Sequence, residues 1–187
     1  MQTYIALLRG INVSGKKKVI MTELKDMFEH LGYIAVVTYI QSGNVVFKAK
    51  EETIQLLEEK IHKGIGTRFG YNVPVLVMIS THLQAVYDQN PFLQRIKEGQ
   101  LDEKKMYFTL LSDIPEVSTI EKLDIRPADG EEYILNKNHK VVYLYAAQGY
   151  GKTKLTNNLF EQKLKCNATT RNLKTTVKLL ELSFLSC

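Results

Sequence analysis

The spacing of apolar residues predicts a regular order of strands and helices at the start of the chain. Residues 4–8, YIALL, form an uninterrupted apolar run that is typical of a buried strand. Between Leu24 and Leu31 the apolar residues fall at i, i+3, i+4 and i+7, which predicts an amphipathic helix. The β-branched run 34–40 and the segment 45–48 flank the turn residues Gln-Ser-Gly-Asn, so these two segments are expected to form a hairpin.

Further elements complete this first set. A second helix is predicted at residues 51–65 and another strand at 73–79. The resulting order β-α-β-β-α-β is that of a ferredoxin-like unit. Thr81 and Gln84 form a capping box, which predicts a connecting helix before the chain continues into its second half.

A similar order of elements begins again after residue 100. Strands are predicted at 106–111, 133–135 and 141–145, and helices at 115–123, 155–164 and 173–184. The segment YILNKNHKVVY repeats the pattern of YIQSGNVVF with two extra turn residues, which indicates a duplication. A helix is predicted where the fourth strand of the second repeat would lie.

The predicted fold is therefore α+β, a tandem duplication of ferredoxin-like (βαββαβ) units with antiparallel sheets. The second unit is expected to be incomplete and to end in a helix. Repeat 1 is assigned to residues 1–80, a connecting helix and linker to 81–100, and repeat 2 with its C-terminal helix to 101–187. At 187 residues and 44% hydrophobic, the chain is long enough to bury a core of this size.

Positive charge is concentrated in two parts of the chain. Residues 1–20 hold four basic groups and no acid, and residues 137–178 hold nine basic groups against the single acid Glu161. Residues 21–136 hold 12 basic and 18 acidic groups, so the overall charge of +5 conceals a polarised distribution. A solvated surface explains such a pattern, and so does an anionic partner.

Cysteine usage and hydropathy indicate the cytoplasm. Cys166 and Cys187 are too few for a disulfide framework and match no metal-ligand spacing, so a reducing compartment is expected. The apolar stretch in MQTYIALLRG is too short for a signal peptide, and no run approaches the roughly 18 residues of a membrane span. Neither secretion nor membrane association is expected.

No catalytic constellation is evident, and neither a metal nor a cofactor is expected. The four histidines are scattered, without another histidine or a cysteine within four residues. Paired carboxylates such as Glu131 and Glu132 are interpreted as helix starts and solvated faces. Whether the protein is an enzyme stays open.

The segment AAQGYGKT at 146–153 invites comparison with a P-loop, since it follows an apolar strand and ends in Gly-Lys-Thr. Alanine replaces the leading glycine, and the surrounding strands are predicted to be antiparallel, so a nucleotide triphosphatase is not favoured. An anion site is still predicted. Gly149 and Gly151 would let backbone N–H groups approach an anion at a helix N-terminus, beside Lys152 and Thr153.

Residues before the predicted last helix form a second candidate anion site, with Thr170, Arg171 and Asn172. Thr170 is a plausible N-cap, which is the structural interpretation. In the functional interpretation, Arg171 in the first helical turn offers its planar guanidinium to phosphate or carboxylate.

A third candidate site combines a loop and a turn. In a ferredoxin-like unit the first and second strands run parallel, so the loop after the first and the turn after the second lie at the same sheet end. Polar and basic residues are numerous there and predict a ligand-binding site: Arg9, Asn12, Lys16, Gln41, Ser42 and Asn44. Ordinary loop and turn chemistry is the competing interpretation.

Four segments resemble the hallmark sequences of a bacterial family known as domain of unknown function 1697: YIALLRGINVSGKK, TYIQSGNVVF, GYGKTKL and ATTRNLKTTVKLL. The resemblance implies a tandem ferredoxin-like fold and a cytosolic bacterial protein, and it implies no activity. Two positions depart from the family pattern. Ser14 stands where a glycine is usual, and Leu173 stands where an aromatic residue would be needed for a ring to stack beside Arg171.

The leading functional hypothesis is a cytosolic protein that binds a phosphate-bearing ligand, either RNA or a nucleotide. A specific RNA-recognition sheet is disfavoured, although Tyr4 and Phe47 could present exposed rings for stacking. One alternative is a metal-independent enzyme acting on a phosphorylated or nucleotide substrate through Lys152 or Arg171. Another is an interaction module or homo-oligomer that pairs through an edge strand such as 73–79.

Overall fold

Strand-forming residues in each half of the chain build two four-stranded antiparallel sheets. The structure is a computed structural model that describes residues 1–13 and 15–185, and within that part it contains eight strands and seven α-helices. The chain divides into two units, unit 1 with Met1–Gln84 and the C-terminal residues from Lys178, and unit 2 with Ala85–Val177. The α+β class and the antiparallel pairing of both sheets are confirmed.

Unit 1 contains the first sheet and its helices. In chain order these are β1 (Gln2–Leu8), α1 (Met21–His30), β2 (Ile34–Tyr39), β3 (Asn44–Ala49), α2 (Ile54–Phe69) and β4 (Val75–Ile79), followed by the start of α3 (Ser80–Asp88). The α2 helix begins three residues later than predicted because the Thr53 side chain caps it, accepting a hydrogen bond from the Leu56 N–H at 3.3 Å.

The strand order of the first sheet is β2-β3-β1-β4, with every neighbouring pair antiparallel. Alternate residues of the central strand β1, including Tyr4 and Leu8, pack with Phe28 of α1 and Ile61 of α2 in one core. The rings of Tyr4 and Phe47 stack on each other at 5.7 Å, and these side chains are 2% and 0% exposed. The suggestion that these rings are available for base stacking is therefore wrong.

Unit 2 contains the second sheet. In chain order its elements are the end of α3, α4 (Leu93–Lys97), a 3-10 helix (Glu103–Lys105), β5 (Met106–Leu111), α5 (Val117–Glu121), β6 (Glu132–Asn136), β7 (Val141–Tyr145), α6 (Asn157–Leu164), β8 (Ala168–Asn172) and the start of α7 (Leu173–Leu185).

The second sheet is complete, which corrects the prediction that its fourth strand is missing. Its order is β6-β7-β5-β8, and β8 pairs antiparallel with β5. The sequence of β8, ATTRN, is mostly polar and lies on a sheet edge, so it lacks the apolar pattern that marks the other strands. Leu111, Val142 and Leu144 of this sheet pack with Phe160 and Leu164 of α6.

Gly43, in the turn between β2 and β3, lies against β1. Its φ is +71°, and a Cβ atom built on it would lie 2.6 Å from the Leu8 Cβ and 2.9 Å from the Ile11 Cδ1. Both the left-handed backbone and the close approach therefore require glycine.

Replacing Gly43 by alanine is expected to lower the free energy of unfolding by about 2 to 5 kcal/mol. About 1 to 2 kcal/mol comes from the left-handed backbone and about 1 to 3 from the steric overlap. Gly10→Ala is the matched control, since Gly10 has a φ of +72° but nothing within 4 Å of its built Cβ. In urea denaturation, Gly10→Ala should lose only about 1 to 2 kcal/mol, the part that comes from the left-handed backbone. Equal losses of unfolding free energy in the two variants would contradict a role for the close approach of Gly43 to Leu8.

Candidate functional site

The loop after β1 and the turn after β2 lie together at one end of the first sheet. Both strands pair antiparallel with β3, so they run parallel to each other and end on the same side. The Asn12 side-chain amide donates to the backbone oxygen of Gln41 at 2.9 Å, and the Leu8 N–H donates to the Gly43 oxygen at 2.8 Å. The structure thus joins the two connections directly.

Three of the six predicted ligand-binding residues make hydrogen bonds that shape this end of the sheet. Asn12 also donates to the Val19 oxygen at 2.9 Å and accepts from the Val19 N–H at 2.8 Å. Asn44 is 0% exposed, and its amide donates to the Tyr39 oxygen at 3.1 Å and to the Ser42 Oγ at 2.9 Å. Asn12, Ser42 and Asn44 therefore have a structural role.

The other three residues lie closer to solvent. Arg9 is half-buried, and Lys16 and Gln41 are exposed. The neighbouring Lys17 donates from its Nζ to the Asn72 backbone oxygen at 2.6 Å. This hydrogen bond connects the basic loop to the segment before β4. Ligand binding by Arg9, Lys16 and Gln41 remains a prediction.

The Gly-Lys-Thr segment does not stand at a helix N-terminus, because α6 begins only at Asn157. The N–H groups of Lys152 and Thr153 donate to the Gly149 oxygen at 3.0 and 3.3 Å, and the Gly149 N–H donates to the Ala146 oxygen at 2.8 Å. These backbone amides thus form hydrogen bonds within tight turns that precede the helix. The predicted placement is wrong, whereas anion binding by the side chains of this segment remains a prediction.

Thr170, Arg171 and Asn172 belong to β8 and not to the first turn of the last helix. The Asn172 Oδ1 accepts a hydrogen bond from the Thr175 N–H at 2.9 Å, which is the contact of an N-cap residue. The cap of α7 is therefore Asn172, two residues beyond the predicted Thr170.

Tyr150 connects the Gly-Lys-Thr segment with β8. Its hydroxyl donates to the Thr170 Oγ1 at 3.1 Å, and its ring centroid lies 5.1 Å from that of Tyr107. Burial lowers the pKa of Arg171 to about 10, an effect that Tyr150 opposes, so the guanidinium stays charged at neutral pH. Its Nη1 donates to the Thr170 oxygen at 2.9 Å.

Unit 2 also contains a cavity of about 490 Å³ between the loop before β6, the loop after β7 and α6. Four exposed basic residues line it: Arg126, Lys152, Lys154 and Lys163. Apolar side chains, including Ile125, Leu155 and Leu159, supply another part of the lining. The cavity therefore combines an apolar surface with a cationic one.

Two acids line the same cavity. Asp124 is exposed, whereas Glu131 is buried. The Glu131 Oε2 accepts from the Thr153 hydroxyl at 3.0 Å, and the Thr153 Oγ1 accepts from the Leu155 N–H at 3.0 Å. The interpretation of Glu131 as a solvated carboxylate is therefore wrong, because its side chain anchors one loop of the cavity to the other.

Of the cavity residues, sequence reasoning identified only Lys152 as a functional candidate. Residues 124–131, DIRPADGE, mix charges with proline and glycine and therefore look like a solvated connection. Lys154 stands in the segment GYGKTKL and Lys163 in no motif, and both are part of the basic region 137–178. The signals in the sequence were that segment and the regional excess of positive charge, and neither specifies a pocket.

Across the described ranges 1–13 and 15–185, no group of three or more His, Cys, Asp or Glu side chains has an arrangement that could hold a metal ion. In the same ranges, none of the helices combines the length and the apolar character needed to cross a bilayer. Ser14, which departs from the family pattern, and Cys187 lie outside the described residues.

The sequence model of a family described as "Protein of unknown function (DUF1697)" matches residues 1–143. The chain belongs to this family. The predicted membership of the family is thereby confirmed, and the match covers the first two of the four segments, YIALLRGINVSGKK and TYIQSGNVVF. The DUF1697 match includes the cavity loop 124–131 and ends before Lys152, Lys154 and Lys163.

A solved structure resembles the chain beyond the DUF1697 match. It is that of a conserved bacterial protein from Streptococcus pneumoniae, with a TM-score of 0.73 and 25% sequence identity, covering 97% of this chain and 98% of the other. No curated protein matches the chain. The fold is therefore shared over nearly the full length with a conserved bacterial protein, and these similarities assign no activity.

Asn12→Asp tests the structural role of this residue in the loop. Aspartate also tolerates the φ of +55° and retains the acceptor for the Val19 N–H, but it loses both amide donations. The free energy of unfolding in urea is expected to fall by about 1 to 3 kcal/mol.

Asn138→Asp makes the same change at an exposed position in the turn between β6 and β7, and it should lower stability by less than about 0.5 kcal/mol. Equal effects of the two variants would show that the Asn12 hydrogen bonds do not hold the loop.

Proposed function

We propose that the protein binds a small phosphate-bearing ligand, with a nucleotide as the leading class, in the cavity of unit 2. The observation that carries this proposal is the lining itself, in which four basic side chains surround a space that also has apolar walls. Pockets for small molecules are mostly apolar with a few polar groups that fix orientation. A nucleotide has matching parts, a flat base and a charged phosphate.

Charge supports an anionic ligand. Arg126, Lys152, Lys154 and Lys163 outnumber the acids Asp124 and Glu131 by four to two. The four basic side chains are exposed, so their charged ends are accessible to an anion in solution. Positive charge lining a concave surface also raises the local concentration of anions.

Size favours a mononucleotide over a nucleic acid strand. A volume of about 490 Å³ lies within the range of roughly 300 to 1,000 Å³ that is usual for small-molecule pockets. The two rings suggested for base stacking, those of Tyr4 and Phe47, are buried, which removes the observation that favoured an extended RNA site. RNA binding is accordingly an outcome that the titration must distinguish.

The proposal includes a tandem duplication of ferredoxin-like units, with repeat 1 at 1–80, the connection at 81–100 and repeat 2 at 101–187. Recurring backbone hydrogen bonds support it. The Leu8 N–H donates to the Gly43 oxygen and the Leu111 N–H to the Lys140 oxygen, each at 2.8 Å. The next residues repeat the pattern, with Arg9 donating to Pro74 at 3.0 Å and Ser112 to Asn167 at 2.9 Å.

The register of the two central strands supports the same duplication. Leu7 of β1 pairs with Asn44 of β3, and Leu110 of β5 pairs with Val141 of β7 at the equivalent position. On the other side, Leu8 pairs with Val75 of β4 and Leu111 pairs with Ala168 of β8. The cytoplasm remains the proposed location, on the argument from the two cysteines.

Pairing with another protein or a second copy is a further candidate function, favoured by one observation. The apolar strand β4 stands at the edge of the first sheet and has a neighbouring strand on one side only, although the Glu58 side chain already accepts from the Val77 N–H at 2.8 Å.

Isothermal titration of the full chain with ribonucleoside 5′-monophosphates and with the corresponding nucleosides tests the phosphate site. Nucleotides are expected to bind at least tenfold more tightly than nucleosides. Lys152→Ala combined with Lys154→Ala should weaken nucleotide binding about tenfold, since each exposed ionic contact contributes up to about 1 kcal/mol and 1.4 kcal/mol corresponds to a factor of ten.

Lys104→Ala combined with Lys137→Ala is the control. It removes two exposed lysines outside the cavity and therefore has the same net charge as the double variant at Lys152 and Lys154. An equal loss in this control would contradict a specific site. Failure of every mononucleotide to bind would overturn the proposal. If short single-stranded RNA binds much more tightly than the mononucleotides, the ligand is bound by an extended surface and not by the cavity.

A further inference from the structure

Two adjacent carboxylates of unit 2 have opposite surroundings. Glu132 is partly exposed and accepts two hydrogen bonds from Arg95, at 2.7 and 2.8 Å, and this pairing lowers the pKa of its carboxyl group. Glu131 is only 5% exposed, and among the residues that the structure describes its carboxylate accepts from the Thr153 hydroxyl alone. Within the described parts of the chain, no lysine, arginine or histidine nitrogen lies within 4 Å of the Glu131 carboxylate.

The isolation of Glu131 is unusual for a buried carboxylate. Removing a carboxylate from water is costly unless hydrogen bonds or opposite charges replace the lost hydration. A carboxylate has about four acceptor sites, and the Thr153 hydroxyl occupies one. A glutamine oxygen can also accept from the Thr153 hydroxyl, in a weaker hydrogen bond that is not charge-assisted, so the loop contact by itself does not require an acid here. Glu131 lines the cavity, so a ligand bound there can use the remaining acceptor capacity.

The chemistry of the cavity then restricts its ligand. The basic side chains suit a phosphate, whereas Glu131 can only accept hydrogen bonds and would repel a phosphate or a carbonyl oxygen. A matching ligand carries N–H donors at the end away from its phosphate. Two adjacent donors suit the two carboxylate oxygens best, because paired, charge-assisted hydrogen bonds are stronger and more directional than single ones.

Among the common nucleobases, guanine has this pair of donors, its ring N1–H and its exocyclic 2-amino group. Adenine and cytosine place a ring nitrogen acceptor beside their amino group, and uracil places a carbonyl on each side of its single N–H. Each of these three would bring an acceptor toward the carboxylate. The apolar side chains of Leu155 and Leu159 line the same cavity and suit the faces of a base.

We infer that Glu131 determines the specificity of the cavity and selects guanine nucleotides by accepting hydrogen bonds from N1–H and the 2-amino group. This inference rests on the proposed function and names its ligand class. The phosphate is bound by the basic residues, so affinity for phosphate and selection of the base depend on different side chains.

Titration of the wild-type chain with four nucleoside 5′-monophosphates tests the selection without any mutation. GMP is expected to bind at least tenfold more tightly than AMP. IMP, which lacks the 2-amino group, should bind between them, and XMP, which has an oxygen in its place, should bind no better than AMP. Equal affinities of GMP and AMP would overturn the inference while leaving phosphate binding intact. Failure of all four to bind would overturn the proposed function itself.

Glu131→Gln tests the residue. Glutamine keeps an acceptor for Thr153, so the melting temperature should stay near that of the wild type, while GMP affinity falls at least tenfold and AMP affinity changes less than about twofold. Asp129→Asn is the matched control, since it removes the same charge from an exposed position on the same loop, outside the cavity lining, and should leave the GMP preference unchanged. A GMP preference that survives Glu131→Gln, or is lost equally in Asp129→Asn, would overturn the role of Glu131.

If Glu131→Gln does not fold, Thr153→Val separates anchoring from selection. Valine removes the hydroxyl that bonds Glu131 and leaves the carboxylate in place. The GMP to AMP ratio is expected to stay within about threefold of the wild-type ratio in this variant. If the GMP to AMP affinity ratio is lost when the Thr153 hydroxyl is removed, Glu131 has a role in loop structure alone, and the inference is overturned.

Discussion

Each sheet depends on a central strand that is hydrogen-bonded on both sides, β1 between β3 and β4, and β5 between β7 and β8. Such a strand has no free edge, and residues 4–8 of β1 are nearly inaccessible to solvent. Chemistry that requires solvent contact must therefore lie where the chain enters and leaves the sheets. In unit 1 that space is occupied by close packing of Gly43 on Leu8 and by hydrogen bonds of Asn12 and Asn44. In unit 2 a cavity lies beside the open end of the β6–β7 hairpin, where Glu132 pairs with Tyr145.

Much of the fold could be predicted from the sequence because its central strands are apolar runs and its first hairpin has an unambiguous turn. β8 could not be predicted, since Thr170 and Arg171 have no apolar periodicity and their strand forms only by pairing with β5, some 60 residues earlier in the chain. The start of α6 was misplaced because Gly149 and Lys152 form turns that resemble a helix entry in sequence but precede the actual helix.

The candidate site was less predictable than the fold for a related reason. Sequence reasoning recognises residues that follow one another, and it correctly brought the loop at Asn12 to the turn at Gln41 because strand direction requires it. The cavity joins Arg126 and Glu131 to Lys152 and Lys163, which come from separate segments that only packing brings together. Burial of Glu131 is likewise a tertiary property, and its neighbour Glu132 shows that an identical side chain can have a different environment one residue later.

The irregularity of β2 has a consequence for how the protein behaves among other chains. This strand stands at the edge of the first sheet, and its pairing with β3 is interrupted between Ile34 and Val37, where Ala35 has a φ of +50°. An incoming strand needs an unbroken row of evenly spaced N–H and C=O groups to extend a sheet. The bulge removes that regularity at a position where Ile34 is exposed, and so it opposes edge-to-edge aggregation without requiring a charged residue there.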